Sequence, residues 1–332
     1  MALALPGQAL AARHQASHRA AASPHAATVQ KPVFNQAVLE AEVLLDRAGA
    51  SPGAIDGRDG ENFANALHAF QQANDLPLGP LDQQTAARLA QASNGPALTQ
   101  YTIQAEDVKG PFAPQTPQDY EEMAALPRLA YRDSRQELAA RFHMSEPLLA
   151  ALNRNANFDQ PGTVVTVANV TPMPEDPKLA ARAGEGSGSS AENGPAAGKI
   201  VIDKAHHAVL VYSPDSRLIA FFPASIGSAE KPAPSGSFIV RSVTYDPDYT
   251  YDPAYNFKGQ KAERRVTVRP GPNNPVGLVW IGLSAKGYGI HGTPDPDQIG
   301  KTQSHGCVRL TNWDAVRLAK MVKRETPVDF VG

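Results

Sequence analysis

The chain has a single cysteine, Cys307, with His305 two residues before it and His291 sixteen before it. A thiolate is a strong nucleophile, yet an isolated cysteine titrates near ~8.5 and stays mostly protonated at neutral pH. A neighbouring imidazole can take that proton and later return it to a leaving amine. His291 closes the apolar run Tyr288-Gly-Ile-His291, which reads as a short strand, and Gly292-Thr-Pro294 turns the chain straight afterwards. Cys307 follows Ser304-His-Gly306, where Gly306 permits the close approach or positive φ of a tight turn. Backbone N–H groups on such a turn can face a developing oxyanion. Two other readings use the same residues. A lone cysteine is commonly a small buried hydrophobe, and His291, His305 and Cys307 are three zinc-ligand types. Neither a CxxC pair nor an HExxH run accompanies them.

Ile290-His-Gly-Thr293, followed by Ser304-His-Gly-Cys-Val-Arg-Leu-Thr-Asn312, resembles the signature of the L,D-transpeptidase catalytic domain. That family cross-links or trims bacterial peptidoglycan through an acyl-enzyme on cysteine. The resemblance extends over about 199–331 and includes Ala224-Ser-Ile-Gly227 and Pro234-Ser-Gly-Ser-Phe238. It implies that Cys307 is the nucleophile and His291 the general base and later acid, with the Gly292 carbonyl orienting His291. His305 and Gly306 belong to the turn and to oxyanion support. Arg309 suits a bidentate grip on a substrate carboxylate. Ser304 sits on the substrate side and holds the turn by local side-chain to backbone bonds. Neither a cofactor nor a metal is implied. The implied partners are the stem peptides and glycan of peptidoglycan. The implied reaction is attack on the penultimate carbonyl of a stem tetrapeptide, loss of D-Ala, and transfer to an amine. Hydrolysis of the same thioester, an L,D-carboxypeptidase reaction, and an inert wall-binding protein are the alternatives.

The elements that must position these residues follow from periodicity. From Lys199 onward it is two: 199–203, 208–212, 218–222, 237–241 and 278–282 read as strands between turns. One helix follows the signature, with Thr311 and Asp314 as a capping box and Trp313, Val316, Ala319 and Val322 as its buried face. Residues 199–332 are therefore expected to form a mainly β catalytic domain. Residues 34–93 read as a small all-α module. Val38, Ala41, Leu44 and Leu45 mark one helix, Phe63, Leu67 and Phe70 a second, and Asp82 caps a third carrying Ala86 and Leu89. Leu44-Leu-Asp-Arg-Ala-Gly49 through Ala69-Phe-Gln-Gln-Ala-Asn74 resembles the peptidoglycan-binding domain 1 fold. Residues 98–170 read as a small α+β module, either LysM-like or a spacer: a helix capped at Asp133 or Ser134, another capped by Ser145, then a strand at 163–167. Residues 171–198, rich in Pro, Gly and Ser, read as a flexible linker.

The chain is long enough for several cores, with 332 residues, 29 Pro and 26 Gly. A net charge of -2 without a basic run argues against nucleic acid. One cysteine excludes an internal disulfide and flags a reactive thiol. No stretch reaches the ~18 apolar residues of a membrane span. Residues 1–33 read as disordered or as the remnant of an export segment, and a periplasmic or wall-associated location is expected. The oligomeric state is not encoded in any of these patterns. Between the strands at 237–241 and 278–282 lies an excursion with Tyr245, Tyr249, Tyr251 and Tyr255, long enough to be functional. It is expected to form a lid beside Cys307 that shapes the acceptor side.

Overall fold

The computed structural model describes residues 34–92, 95–181, 196–228, 231–253, 264–304 and 306–332. The expectation for residues 1–33 lies outside the described residues. Residues 34–332 form one compact unit.

Three helices open it: α1 (Gln36–Arg47), α2 (Glu61–Ala73) and α3 (Gln83–Ala92). Asn35 caps α1 by accepting from Ala37 N and Val38 N, and Asp82 accepts from Thr85 N at 2.7 Å to start α3. Leu39, Leu45, Leu67 and Leu89 are fully buried. Ala86, expected on the inner face of α3, is exposed. Thr85 faces inward instead, because its hydroxyl accepts from Gln71 Nε2 at 3.1 Å.

The middle segment contains β1 (Leu98–Thr102), α4 (Tyr120–Ala125), α5 (Ser134–Arg141), α6 (Glu146–Leu152) and β2 (Val164–Ala168). Asp133 caps α5 and Ser145 caps α6. Nothing in the sequence pattern at 98–102 predicts a strand. That strand becomes legible only as the antiparallel partner of β2.

Among the described residues of the C-terminal part, nine strands form one sheet. In spatial order they are β5 (Leu218–Pro223), β4 (Ala208–Tyr212), β3 (Lys199–Asp203), β13 (Pro327–Val331), β7 (Gly236–Tyr245), β10 (Val279–Leu283), β11 (Gly289–His291), β12 (Val308–Arg309) and β6 (Ser225–Ile226). The pairs β3–β13 and β11–β12 are parallel and the others antiparallel. A separate two-stranded ribbon, β8 (Tyr249–Tyr251) with β9 (Val266–Val268), stands in the aromatic excursion. Helix α7 (Asn312–Met321) lies against β10 and β11. Trp313, Val316 and Ala319 are buried as the period requires, whereas Val322 falls past the helix end. Of the capping box, the Thr311 half forms, with Thr311 Oγ1 accepting from Asp314 N at 3.2 Å. The Asp314 carboxylate accepts from Ser51 of the helical module at 3.0 Å instead of reaching back to the Thr311 N–H.

That bond belongs to a wider docking of the modules. Ala50 bridges to Phe221 of β5, and Phe221 and Leu210 share one apolar core with α1 and α2. The described part of 171–198 is packed rather than loose at its start: Met173 is buried and its N–H donates to Arg141 O at 2.8 Å. The stretch 182–195 lies outside the described residues. No helix among the described residues is long and apolar enough to cross a membrane.

Candidate active site

Strand register brings the signature halves together. Parallel pairing sets Ile290 opposite Val308 and His291 opposite Arg309, so Cys307 enters beside Gly289. On the other side, β10 sets Trp280 opposite His291. The two rings stack with centroids 5.5 Å apart and planes at 18°. A β-carbon at Gly289 would stand 2.6 Å from the indole of Trp280, so glycine there makes room for the ring that supports the imidazole.

His291 is buried, and its Nδ1 lies 2.7 Å from Gly292 O. A carbonyl only accepts, so Nδ1 carries the proton and Nε2 keeps a free lone pair. Burial pulls the imidazole down to about 4, against the Gly292 bond and helped by the nearby Arg309 charge. His291 is therefore neutral at neutral pH.

Cys307 is half-buried, and its thiol points toward Gly287 O at 3.9 Å. Burial pushes the thiol above its usual value, although the Gly289 N–H and the Arg309 charge favour the thiolate. The resting pair is a thiol and a neutral imidazole. Gly306, just before, has φ 103°. A side chain there would be strained and would press on the Tyr288 ring at 3.0 Å. Ser304 lines the cleft, but its hydroxyl is spent within the protein: it donates to Cys307 O and accepts from Gly227 N at 2.6 Å. It thus ties the cysteine turn to β6 rather than offering a group to a ligand. His305 lies outside the described residues.

Arg309 also faces the cleft. Its Nη2 donates to Gln303 O, while its buried Nε has no hydrogen-bond partner among the described residues. Asp295 lies close enough to favour its charge, which burial disfavours. A carboxylate is the ligand chemistry such a half-satisfied guanidinium would accept.

Cys307, His291 and Arg309 line one cleft of about 1210 Å³. Sequence reasoning missed several of its walls. Trp280 reads in the sequence only as a strand residue. Tyr120 comes from α4. Tyr249, which also lines the cleft, belongs to the excursion expected beside Cys307, whose residues 254–263 lie outside the described residues. Asn312, at the start of α7, accepts from Leu278 N at 3.0 Å and donates to Pro272 O at 3.0 Å, bracing the loop behind His291.

Comparison with known proteins finds two matching segments. The model of the L,D-transpeptidase catalytic domain matches residues 197–330. By this match the segment is recognised as an L,D-transpeptidase catalytic domain. Residues 35–89 match a second family, described as "Putative peptidoglycan binding domain". Among curated relatives, "Putative L,D-transpeptidase YkuD" of Bacillus licheniformis is 32% identical over 114 residues, covering 34% of this chain and 54% of its own length. "Probable L,D-transpeptidase ErfK/SrfK" of Escherichia coli is 33% identical over 136 residues, covering 40% and 43% respectively. The chain thus spans about half the length of these relatives. A solved L,D-transpeptidase from Mycobacterium smegmatis aligns at 23% identity and TM-score 0.33 over 40% of this chain and 58% of its own. The resemblances drawn from the signature and from the helical module hold, while a LysM-like reading of 98–170 is not shown.

Proposed function

We propose that this chain is a peptidoglycan L,D-transpeptidase that works at the cell wall. The observation that carries the reading is the His291–Gly292 bond, which leaves Nε2 as a free base in the cleft that holds the only thiol. The reaction begins with a stem tetrapeptide whose penultimate carbonyl meets Cys307. Sulfur bonds to the carbonyl carbon as its proton passes to His291 Nε2, because neither group is charged beforehand. The tetrahedral intermediate collapses to a thioester, and the C–N bond to the terminal D-Ala breaks. His291 returns the proton to the leaving amine. An acceptor amine then attacks the thioester, gives its proton to His291, and the thiol reforms. Arg309, whose Nε has no partner among the described residues, holds a carboxylate of the stem peptide. Ser304 and Gly306 fix the turn, and His305 supports it or the oxyanion. The segment 35–89 holds the enzyme to its insoluble substrate.

Incubation with disaccharide-tetrapeptide, followed by mass spectrometry of the stems, tests this. Cross-linked dimer is the expected product. Trimmed monomer alone would replace the transferase with a carboxypeptidase, and unchanged substrate would leave only a wall-binding protein.

A further inference from the structure

Residues 105–136 lie outside both segments that match known families, yet they build one wall of the catalytic cleft. Tyr120 of α4 is buried against the ribbon β8–β9, its ring 4.8 Å from that of Tyr251 and 5.5 Å from that of Tyr249. Tyr120 and Tyr249 both line the cleft, and Tyr120 lies near enough to Arg309, and Tyr249 to Cys307, for each pair to interact electrostatically.

The same segment grips the aromatic excursion at both of its ends. At the entry, the Arg128 guanidinium meets the Asp246 carboxylate through two bonds of 2.6 and 3.0 Å. At the exit, Leu129 N donates to Pro270 O at 2.9 Å and Leu129 O accepts from Asn273 N at 2.9 Å. Gly271 makes this approach feasible, since a β-carbon there would sit 2.2 Å from Leu129 O. Leu129 itself is fully buried with Tyr251, Val266 and Val268.

We propose that Tyr120 is a positioning residue for the reaction of Cys307. Through its ring contact with Tyr249 it holds the aromatic wall against the thiol, while Arg128 anchors the entry of that wall and the Leu129 backbone its exit. Resting on the transpeptidase reading above, this makes the middle segment part of the acceptor side, where a held wall excludes water and admits a peptide amine. A two-stranded ribbon is marginally stable by itself, so its placement depends on what it packs against.

The test starts with a readout that needs no substrate. Cys307 is the only cysteine, so iodoacetamide alkylation of the full chain reports its shielding alone. Tyr120→Ala is expected to raise the alkylation rate about five-fold, the factor matching ~1 kcal/mol of lost ring contact. Tyr120→Phe, which keeps the ring, should stay near wild type, and Arg128→Ala should shift in the direction of Tyr120→Ala. If Tyr120→Ala loses its native circular dichroism, Arg128→Ala, whose ion pair is partly solvent-exposed, decides alone. Wild-type alkylation rates in folded Tyr120→Ala and Arg128→Ala overturn the proposal, whatever the enzyme turns over. A second arm measures the ratio of dimer to trimmed monomer. A fall in that ratio, with Cys307 acylated as fast as in wild type, supports the acceptor-side role. An unchanged ratio alongside faster alkylation overturns that role, and a wild type that never acylates overturns the transpeptidase reading on which it rests.

Discussion

Gly292 and Asn312 pack so closely that a β-carbon on Gly292 would stand 2.2 Å from Asn312 Oδ1. The same amide oxygen accepts from Leu278 N, so it is not free to retreat. The carbonyl of Gly292 in turn sets the tautomer of His291. Glycine after the histidine is therefore a steric requirement of the bond that fixes the His291 tautomer.

From this follows the behaviour of Gly292→Ala. The added methyl displaces the backbone that anchors Nδ1, and misplacement by about an ångström costs on the order of 10²-fold in rate. Overpacking also destabilises by about 1–3 kcal/mol. Single-turnover acylation and denaturant unfolding check the two effects separately. Wild-type acylation in this variant would detach the Gly292 bond from the mechanism.

The pH dependence is set by two displaced groups. His291, pulled down to about 4 by burial, stays neutral and able to accept a proton far below the usual imidazole range. Cys307, pushed above its usual value by burial, keeps its proton into the alkaline range. The acylation rate should therefore hold a plateau across neutral pH with its acid limb near pH 4. An acid limb near the ordinary ~6.5 of histidine would mean that an ion pair or another base is at work.

The signature and the strands were legible because they follow local rules. Strands of period two and the caps at Asp82, Asp133, Ser145 and Thr311 depend on neighbours in the chain, and the structure has them in place. What escaped was decided at long range. Strand β1 has no apolar alternation of its own and exists through its pairing with β2. Tyr120 reaches the cleft from a helix far from the signature in sequence, and Asp314, at a position that reads as a surface capping residue, is buried by the helical module.

That buried Asp314 makes stability depend on pH. Burial and the neighbouring Asp46 push its carboxyl up to about 7, against Thr311, His143 and Ser51. Unfolded, it titrates near ~3.9. Between about pH 4 and pH 7 the folded chain keeps a proton that the unfolded chain has lost, so this group's stabilising contribution falls as pH rises. Asp46 has the opposite sign: burial raises its pKa, but His143 and Arg317 outweigh that and lower it, so its contribution is lost on acidification. Asp314→Asn should flatten the decline between about pH 4 and pH 7 and leave the Asp46 loss at lower pH. Parallel slopes in variant and wild type, measured by chemical denaturation, would remove Asp314 from the linkage.

Ser304→Ala takes away a hydroxyl that bridges Gly227 N and Cys307 O in a buried turn. Leaving these groups unpaired should cost about 1–3 kcal/mol, and the cysteine turn should loosen with it. Slower acylation at saturating donor, with the apparent donor affinity little changed, is the expected pattern. A loss confined to donor affinity would make the Ser304 hydroxyl a ligand group after all.

The most direct measurement is the intact mass of the protein after incubation with a stem tetrapeptide donor and no acceptor. An adduct equal to the donor less its terminal D-Ala, mapped by digestion to Cys307, is expected in the wild type. Cys307→Ala should carry none. In His291→Ala the adduct should form about 10²–10⁴ times more slowly. Product formed at wild-type rate by Cys307→Ala, or an adduct on any other residue, would contradict the account.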